Sequence, residues 1–260
     1  PKAGMLAMTV RSYLRDSKKP MVFVPVYTGY EKVFEEKSYL GELRGKAKKK
    51  ESLLDVLGTL RSFKKSFGKV NVTFGEPIHL SPYLEERHPG WSNQDYEACN
   101  YRPDWAPELV DELATTVVTE INRAASVNPI NLIALAILAS PRQAMDENQL
   151  MRHMEAYRDL LAMVPYSDMT VLPDGHASDW LAHAEELGSV SRSKHDMGDL
   201  IQTNERQAVT LTYYRNNVLH IIALPSLIAC LLLNNRRCTQ ADILESCQAL
   251  YPFLKAELFL

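Results

Sequence analysis

The hydrophobic periodicity of this chain changes along its length, and that change limits the folds that the chain can adopt. Residues 3–15 and 51–66 carry apolar side chains at helical spacing. Residues 21–27 form a continuous apolar run, which is typical of a strand buried on both faces. Residues 70–74 alternate apolar and polar residues, which indicates a second strand. The order helix, strand, helix, strand predicts an α/β layer with a partly parallel sheet.

After residue 107 the patterns are mainly helical, and residues 165–206 are less regular. Apolar spacing predicts helices over residues 107–125 and 129–139. Asp146 is expected to cap a helix with Leu150, Met154, Tyr157 and Leu161 on its inner face. Near the end of the chain, Thr239 and Asp242 have the spacing of a capping box and predict the start of a last helix.

These patterns predict the domain organisation. A chain of 260 residues can hold one large domain or two ordinary ones. Residues 1–88 are assigned to an α/β part and residues 107–260 to a mostly α-helical domain that is expected to be truncated. Residues 89–106 are rich in Pro, Trp, Tyr and Asn, and they are predicted to be a linker.

Pro25 is the irregular residue of the first strand. Proline has no N–H group, so it cannot donate to a sheet ladder and is expected at an edge, a bulge or a strand end. A loop with Tyr27, Tyr30 and Glu31 follows at once. The strand is therefore predicted to stop or bend near this proline.

Charge is unevenly distributed along the chain. The net charge is -3, but residues 1–69 carry a balance of +9 and the remainder carries -12. The basic excess includes a short cluster after Gly41, which consists of Arg44, Lys46, Lys48, Lys49 and Lys50. Three interpretations remain open: a solvated loop, a contact with phosphate or anionic membrane, and a nucleic-acid contact. The acidic remainder and the lack of a nucleic-acid motif argue against the third.

Residues 218–233 form the longest uncharged segment. Sixteen residues are fewer than the roughly 20 that span a bilayer as a helix. The favoured interpretation is a fully buried helix kinked at Pro225. The alternative is a helix that lies in a membrane interface, flanked by Arg215, Arg236 and Arg237.

Familiar catalytic motifs are absent from the sequence. It contains no His-Glu-x-x-His, no Gly-x-Ser-x-Gly, no glycine-rich phosphate loop and no His followed by Asp five positions later. The four cysteines form no Cys-x-x-Cys pair, which argues against a zinc site. Motifs alone therefore do not predict an enzyme or a metal site.

A set of ordered segments resembles the membrane-associated sn-glycerol-3-phosphate 1-O-acyltransferases of bacteria. The segments are PKAGML, FVPVYTGYEKV, YLGELRGKAKKKESL, VNVTFGEPIHL, YYRNNVLHIIALPSLIA and LYPFLKAELFL. They extend over nearly the whole chain. The asparagine pair in YYRNNVLH is the most distinctive of these features.

The resemblance implies that this chain is the C-terminal portion of the acyltransferase α/β domain followed by a mostly α-helical domain. In that family four motif blocks build the site, and the first contains a His-x4-Asp pair whose His is the general base. FVPVYTGYE matches the fourth block, and PKAGML resembles the sequence just after the third. The catalytic pair is therefore expected upstream of Pro1, and this 260-residue chain alone is expected to be inactive.

The resemblance also implies substrates and site residues. The parent enzyme is expected to transfer a fatty acyl group from acyl-CoA or acyl-carrier protein to glycerol 3-phosphate in phospholipid synthesis, without a cofactor. It is expected on the cytoplasmic side of the bacterial inner membrane as a peripheral protein, bound to an anionic membrane surface and to no nucleic acid. The expected substrate-binding residues are Val24, Pro25, Val26, Tyr27, Tyr30, Glu31, Arg44, Lys46, Lys48, Lys49 and Lys50.

Two alternatives remain open at this point. The charge asymmetry and the 218–233 segment also fit a non-catalytic helical module that docks on a membrane or a protein. An acyltransferase for another phosphorylated acceptor, such as dihydroxyacetone phosphate, would share the same motifs. A coding sequence upstream of Pro1 that lacks the His-x4-Asp pair would contradict the acyltransferase interpretation.

Overall fold

The computed structural model describes residues 3–32, 68–96, 103–234 and 237–260. An α/β region comes first in the chain and a mostly helical region follows it, as the sequence predicts. Contacts between residues divide the chain into two compact units. The first comprises Pro1–Tyr27, Val72–Ala125 and Cys230–Leu260, and the second comprises Thr28–Asn71 and Ser126–Ala229.

Helices make up most of the described residues. They are α1 (Gly4–Arg15), α2 (Leu80–Arg87), α3 (Ala106–Arg123), α4 (Pro129–Ala139), α5 (Glu147–Met163), α6 (Ala177–Leu187), α7 (Glu205–Asn216), α8 (Leu219–Asn234) and α9 (Gln240–Leu258). The helix predicted over residues 51–66 lies outside the described residues. The predictions for 3–15, 107–125 and 129–139 are confirmed to within a few residues at each end.

Within the described ranges, short strands form three small sheets. The strands are β1 (Val22–Phe23), β2 (Val26–Tyr30), β3 (Val70–Phe74), β4 (Ile78–His79), β5 (Ala144–Asp146), β6 (Ser191–Ser193) and β7 (Leu200–Gln202). Strand β1 pairs antiparallel with β4, β2 pairs with β3, and β7 lies between β5 and β6 with antiparallel pairing on both sides. The expected partly parallel sheet is not found among the named strands of the described ranges.

The core of the first unit lies between helices α1, α2 and α3. Val10, Tyr13 and Leu14 are the buried residues of α1. Met5 and Met8, which belong to the same helical spacing of apolar residues in the sequence, are 79% and 65% exposed. The spacing alone was compatible with either face, and packing against α3 selects the one that carries Val10 and Leu14.

The segment predicted as a linker contributes to this core. A short 3-10 helix, Trp91–Asn93, lies within it. Trp91 and Tyr96 are both buried, and the Tyr96 hydroxyl donates a hydrogen bond to the Trp91 carbonyl oxygen at 2.9 Å. Large aromatic side chains gain much from burial when the polar group finds a partner. The predicted domain boundaries themselves stay a prediction.

Helix α4 is the centre of the second unit. It packs against α5, α6 and α7, and its Leu132 and Ile133 have no exposed surface. Asn131 is also buried, and its side-chain amide donates to the Tyr214 carbonyl oxygen at 2.8 Å. A helix that is apolar on all sides is stable only when neighbours surround it, and α4 meets that condition.

The predicted helix starts of the second half are confirmed. The Asp146 carboxylate accepts a hydrogen bond from the Gln149 N–H at 3.0 Å and caps α5. Leu150, Met154 and Leu161 are buried on its inner face, with Tyr157 partly covered there. Burial raises the pKa of the Tyr157 hydroxyl above its ordinary value.

Helix α8 departs from the expectation of a fully buried helix. Val218, His220 and Ile221 are buried at its start. Beyond Pro225, which lies inside the helix, the apolar side chains become exposed, and Leu233 is 83% accessible. Only the first part of the uncharged segment belongs to the core of the chain.

Candidate functional site

Pro25 lies at the junction of the first two strands. Strand β1 ends at Phe23 and β2 begins at Val26, so the expected interruption is confirmed. Pro25 is buried, and its carbonyl oxygen accepts a hydrogen bond from the Gly75 N–H at 2.8 Å. A Cβ atom on Gly75 would lie 2.9 Å from the Glu120 carbonyl oxygen, so this close crossing of backbones requires glycine.

Two hydrogen bonds define the pairing of β2 with β3. One joins the Gly75 N–H to the Pro25 carbonyl, and the other joins the Glu31 N–H to the Lys69 carbonyl at 3.2 Å. The partner residue number falls as the strand residue number rises, so the strands run antiparallel. Residues with even numbers in the two strands therefore lie opposite one another on one face.

That even-numbered face is open and mostly apolar, with Thr28 as its exposed polar residue. It carries Val26 and Phe74, which are 38% and 63% exposed. Nearby valines with similar exposure are Val24, Val70 and Val72. The expectation of a strand buried on both faces is therefore wrong for this chain, because one face of the strand pair has no cover among the described residues.

The residues expected around the site fall on two faces. Val24 and Val26 are exposed, whereas Pro25 is buried and Tyr27 is half-buried. Successive residues of a strand point to opposite faces, so this contiguous stretch divides between them. Its role in substrate binding stays a prediction.

Glu31 is the most unusual residue of the expected set. It is only 3% exposed, although it is a carboxylate next to a loop. Its Oε2 atom accepts from the Lys69 N–H at 2.6 Å and lies 2.8 Å from His183 Nε2. A buried carboxylate needs such partners, because burying an unpaired charge is costly.

The residues on either side of Glu31 also reach helices of the second unit. Asn128 Nδ2 donates to the Tyr30 carbonyl oxygen at 3.4 Å. Lys32 Nζ donates to the Leu187 carbonyl oxygen at 2.6 Å, at the C-terminal end of α6. A cation at that end of a helix is favourable, because the helix dipole is negative there.

We call this group of contacts the β2 anchor: Tyr30, Glu31 and Lys32 bonded to Asn128, His183 and Leu187. The helical partners lie roughly 100 to 150 positions further along the chain. No local motif connects such distant residues, so the sequence did not indicate them. Only the tertiary structure brings them to the end of β2.

A second charged cluster surrounds Arg192. Its guanidinium donates to Glu147, Glu185 and Asp199 at 2.8, 2.9 and 3.0 Å. Hydrogen bonds to these carboxylates raise the pKa of Arg192, and the bond from Arg192 lowers the pKa of Asp199. Three carboxylates around one cation leave no excess positive charge to hold an anion, so the cluster links α5, α6 and the small sheet.

Other candidate features are limited in the part of the chain that the structure describes. The basic cluster of Arg44, Lys46, Lys48, Lys49 and Lys50 lies outside the described residues. A cavity of about 170 Å³ lies between α1 and α3, lined mainly by apolar side chains such as Leu14 and Val110. It includes none of the expected site residues.

Metal binding and membrane crossing find little support in the described ranges. No group of three or more His, Cys, Asp or Glu side chains there is placed to hold a metal ion. No single described helix is long and apolar enough to cross a membrane. Helices α7 and α8 together meet the criteria of length and composition, with a bend of 88° between them.

Comparison with known proteins gives a consistent result. Residues 39–260 match the family described as the glycerol-3-phosphate acyltransferase C-terminal region. All 260 residues align with proteins named glycerol-3-phosphate acyltransferase: 48% identity with those of Pseudomonas paraeruginosa and Pseudomonas aeruginosa, and 48% with that of Pseudomonas putida. In each case the chain spans 31% of the relative's length.

Proposed function

Because this chain belongs to the family of glycerol-3-phosphate acyltransferase C-terminal regions, we propose that it is part of an enzyme that acylates glycerol 3-phosphate. The hydroxyl at position 1 of sn-glycerol 3-phosphate attacks the thioester carbonyl of acyl-CoA or acyl-carrier protein. The ester bond forms, the thioester C–S bond breaks, and the donor leaves as a free thiol. The observation that carries this proposal is the similarity to proteins of that name along the whole chain.

The general base of the reaction is placed upstream of Pro1 in this proposal. The sequence contains no His with an Asp five positions later, and the family's motif order assigns that pair to an earlier block. In this proposal the 260-residue chain supplies some of the substrate-binding residues and the helical region. It does not catalyse the transfer alone.

The open apolar face of β2 and β3 supports a role in holding the acyl chain. Val26, Val70 and Phe74 expose hydrocarbon surface there, and hydrocarbon chains leave water favourably by about 25 cal/mol per Å² of buried area. Tyr30, whose backbone belongs to the β2 anchor, lies on the same side of the strand by register. The substrate contacts of the other expected residues are proposed on the motif alone.

An acyl-transfer assay tests the proposal. Full-length protein is mixed with labelled sn-glycerol 3-phosphate and either acyl-CoA or acyl-carrier protein, and the 1-acyl product is quantified. We expect transfer by the full-length protein and none by the 260-residue chain. Transfer to dihydroxyacetone phosphate but not to glycerol 3-phosphate would replace the proposed acceptor, and no transfer to either would refute the enzymatic function.

Membrane association is a second part of the proposal. The product is a lipid, and the exposed end of α8 carries apolar side chains that a bilayer could bury. The basic residues 44–50 bring positive charge in sequence, which an anionic bilayer attracts. We place the parent enzyme at the cytoplasmic side of the bacterial inner membrane, where it acts in phospholipid synthesis. These features fit a non-catalytic docking module as well, and the transfer assay separates the two.

Vesicle sedimentation tests the membrane contact. Full-length protein is expected to sediment with vesicles that contain anionic lipid and less with neutral vesicles. Reversing the charges of Lys48, Lys49 and Lys50 to Glu should weaken sedimentation, because each cation contributes about 1 kcal/mol near an anionic surface. Unchanged sedimentation would remove the basic cluster from the proposal.

A further inference from the structure

The end of strand β2 is held by an unusual sequence of contacts. Three consecutive residues, Tyr30–Lys32, each bond to a different residue of the helical region. Only the central contact uses a buried ionisable side chain, Glu31. In the β2 anchor, the Glu31–His183 contact therefore joins two side chains, whereas the other two contacts each join a side chain to a backbone carbonyl oxygen.

The central contact restricts the chemistry of both partners. A carboxylate oxygen accepts hydrogen bonds, so the 2.8 Å contact fits the His183 tautomer that carries its proton on Nε2 and donates it to Glu31. The same Glu31 oxygen also accepts from the Lys69 N–H. The side chain of Glu31 is 4% exposed and that of His183 is 28% exposed, so water competes little for the carboxylate.

The backbone at Gly68 leaves the space that the Glu31 carboxylate occupies. Gly68 has a φ angle of +71°, and a Cβ atom there would lie 2.6 Å from Glu31 Oε2. Glycine allows both the left-handed backbone and the close approach. The start of β3 is thereby adapted to the position of the Glu31 side chain.

On the other side of the Glu31–His183 contact, helix α6 is held firmly in its unit. His183 and Leu187 are one turn apart on α6, so Glu31 and Lys32 meet the same face of that helix. Ala184 and Leu187 are buried, which fixes the helix against its own unit. A shift of the His183 contact would be transmitted to the last residues of β2 rather than absorbed by α6.

We propose that His183 is a positioning residue of the acyltransferase: through Glu31 it sets the position of the C-terminal half of β2, and so the fit of the acyl chain on that strand. This inference rests on the proposed function. The acyl donor is the substrate affected, because the open side of β2 and β3 is mostly hydrocarbon. Glycerol 3-phosphate, a polar anion, gains nothing from that surface.

Substitution of His183 in the full-length enzyme tests the proposal. Leucine removes the donor and leaves Glu31 short of a partner, whereas glutamine keeps an N–H group of similar reach. We expect His183→Leu to raise KM for the acyl donor about tenfold, with kcat and KM for glycerol 3-phosphate within about twofold of wild type. His183→Gln should restore KM for the acyl donor to within about threefold.

A control variant on the same helix separates positioning from general damage. Glu186 is exposed on α6, so Glu186→Leu should leave all kinetic constants unchanged. A loss of kcat alone in His183→Leu would indicate less folded enzyme and would overturn the proposal. So would an unchanged KM for the acyl donor, or a His183→Gln variant as impaired as His183→Leu.

A double-mutant cycle that measures melting temperature tests the Glu31–His183 contact without the acyl-transfer reaction. Glu31→Gln and His183→Leu are each expected to lower the melting temperature of the full-length protein, and the double variant to melt no lower than the worse single variant. Additive shifts would overturn the anchor. If the wild-type protein transferred no acyl group, the proposed function would fail, and this cycle would still decide whether Glu31 and His183 act as a unit.

Discussion

Helices α4 and α8 are alike in composition and opposite in environment. Each lacks Asp, Glu, Lys and Arg, and each is dominated by Leu, Ile and Ala. In α4 seven of the eleven residues are buried. In α8 the residues after Pro225 are increasingly exposed, with Leu232 at 51% and Leu233 at 83%.

The contrast shows that apolar composition does not decide whether a helix is buried. An apolar side chain gains free energy wherever water is excluded, but the composition of a helix does not specify what excludes the water. Helix α4 has three helices packed around it, whereas the end of α8 has open apolar surface. The exposed surface is what a membrane or a further part of the longer relatives would cover.

Helix α9 extends the contrast to the end of the chain. It has no buried residue, and Phe253 is 74% exposed. Its last turn is nevertheless tied down, because Asn122 donates to the Leu258 carbonyl oxygen at 2.8 Å. Hydrogen bonds hold this helix in place where burial does not.

The largest expected effect comes from truncating one leucine in each helix. Leu132→Ala in α4 removes a side chain with no exposed surface, and it should lower the free energy of unfolding by about 2–5 kcal/mol. Leu233→Ala should cost less than about 0.5 kcal/mol. Urea denaturation of the full-length protein measures both, and equal losses would show that the rest of that protein covers the end of α8.

The next test asks whether burial or hydrogen bonding makes α4 sensitive. Asn131 and Gln207 hold the same place in the capping boxes of α4 and α7, and each also donates to a distant carbonyl oxygen. Asn131→Leu leaves buried groups unpaired and should cost roughly 1–3 kcal/mol. Gln207→Leu should cost about 1 kcal/mol or less, because water can replace its bonds.

Thermal melting of the two leucine variants provides the measurement. The N–H group that loses its partner belongs to Asn128 in α4 and to Asn204 in α7. Similar shifts in melting temperature for the two variants would mean that the capping bonds, and not the burial, account for the stability of α4.

A smaller effect is expected from the exposed end of α8 on membrane binding. Replacing Leu232 and Leu233 together by serine removes hydrocarbon surface, and it should weaken binding of the full-length protein to anionic vesicles roughly tenfold. The melting temperature should change little. Serine at both positions with unaltered vesicle binding would assign the exposed surface to a protein contact instead.

The smallest expected effect concerns pH and the caps of α9 and α4. Hydrogen bonds from the Thr239 N–H and hydroxyl lower the pKa of Asp242. A lowered pKa in the folded state contributes stability above the ordinary pKa of Asp, about 4, and that contribution is lost as the pH falls through the lowered value. The cap of α4 uses the uncharged Asn128 and Asn131.

Acid should therefore loosen the first turn of α9 before that of α4. Amide exchange, corrected for its intrinsic pH dependence, should show protection of the α9 first turn declining below about pH 4. Asp242→Asn provides the control, since it should remove this decline. Equal loss of protection at both helix starts would indicate global unfolding.

Several elements could be predicted because they depend on neighbours in sequence. Asp146 and Thr239 mark helix starts through bonds within one turn, and Pro25 interrupts a strand because it lacks an N–H group. It was harder to predict which face of a helix is buried. Met5 and Met8 have the same helical spacing as Val10, and only the packing of α1 shows which side is buried.

The same limit applies to the candidate site. The strand was identified from sequence, and family membership is confirmed by the comparisons. The expected tyrosine loop is wrong, because Tyr27 and Tyr30 belong to strand β2, which pairs with β3. The division of that strand into an open apolar face and a buried face depends on its pairing with β3. His183 could not be identified, because its partner Glu31 lies 152 positions earlier.

The sequence by itself determined several of the helices and strands, their caps, the place of the proline and the family, since all of these depend on local chemistry or on a string of residues. The tertiary structure decided which apolar faces are buried and which distant side chains meet at the end of β2. Hydrophobic burial is non-directional, so an apolar pattern indicates only that a face must be covered. The packed structure shows which part of the chain covers it.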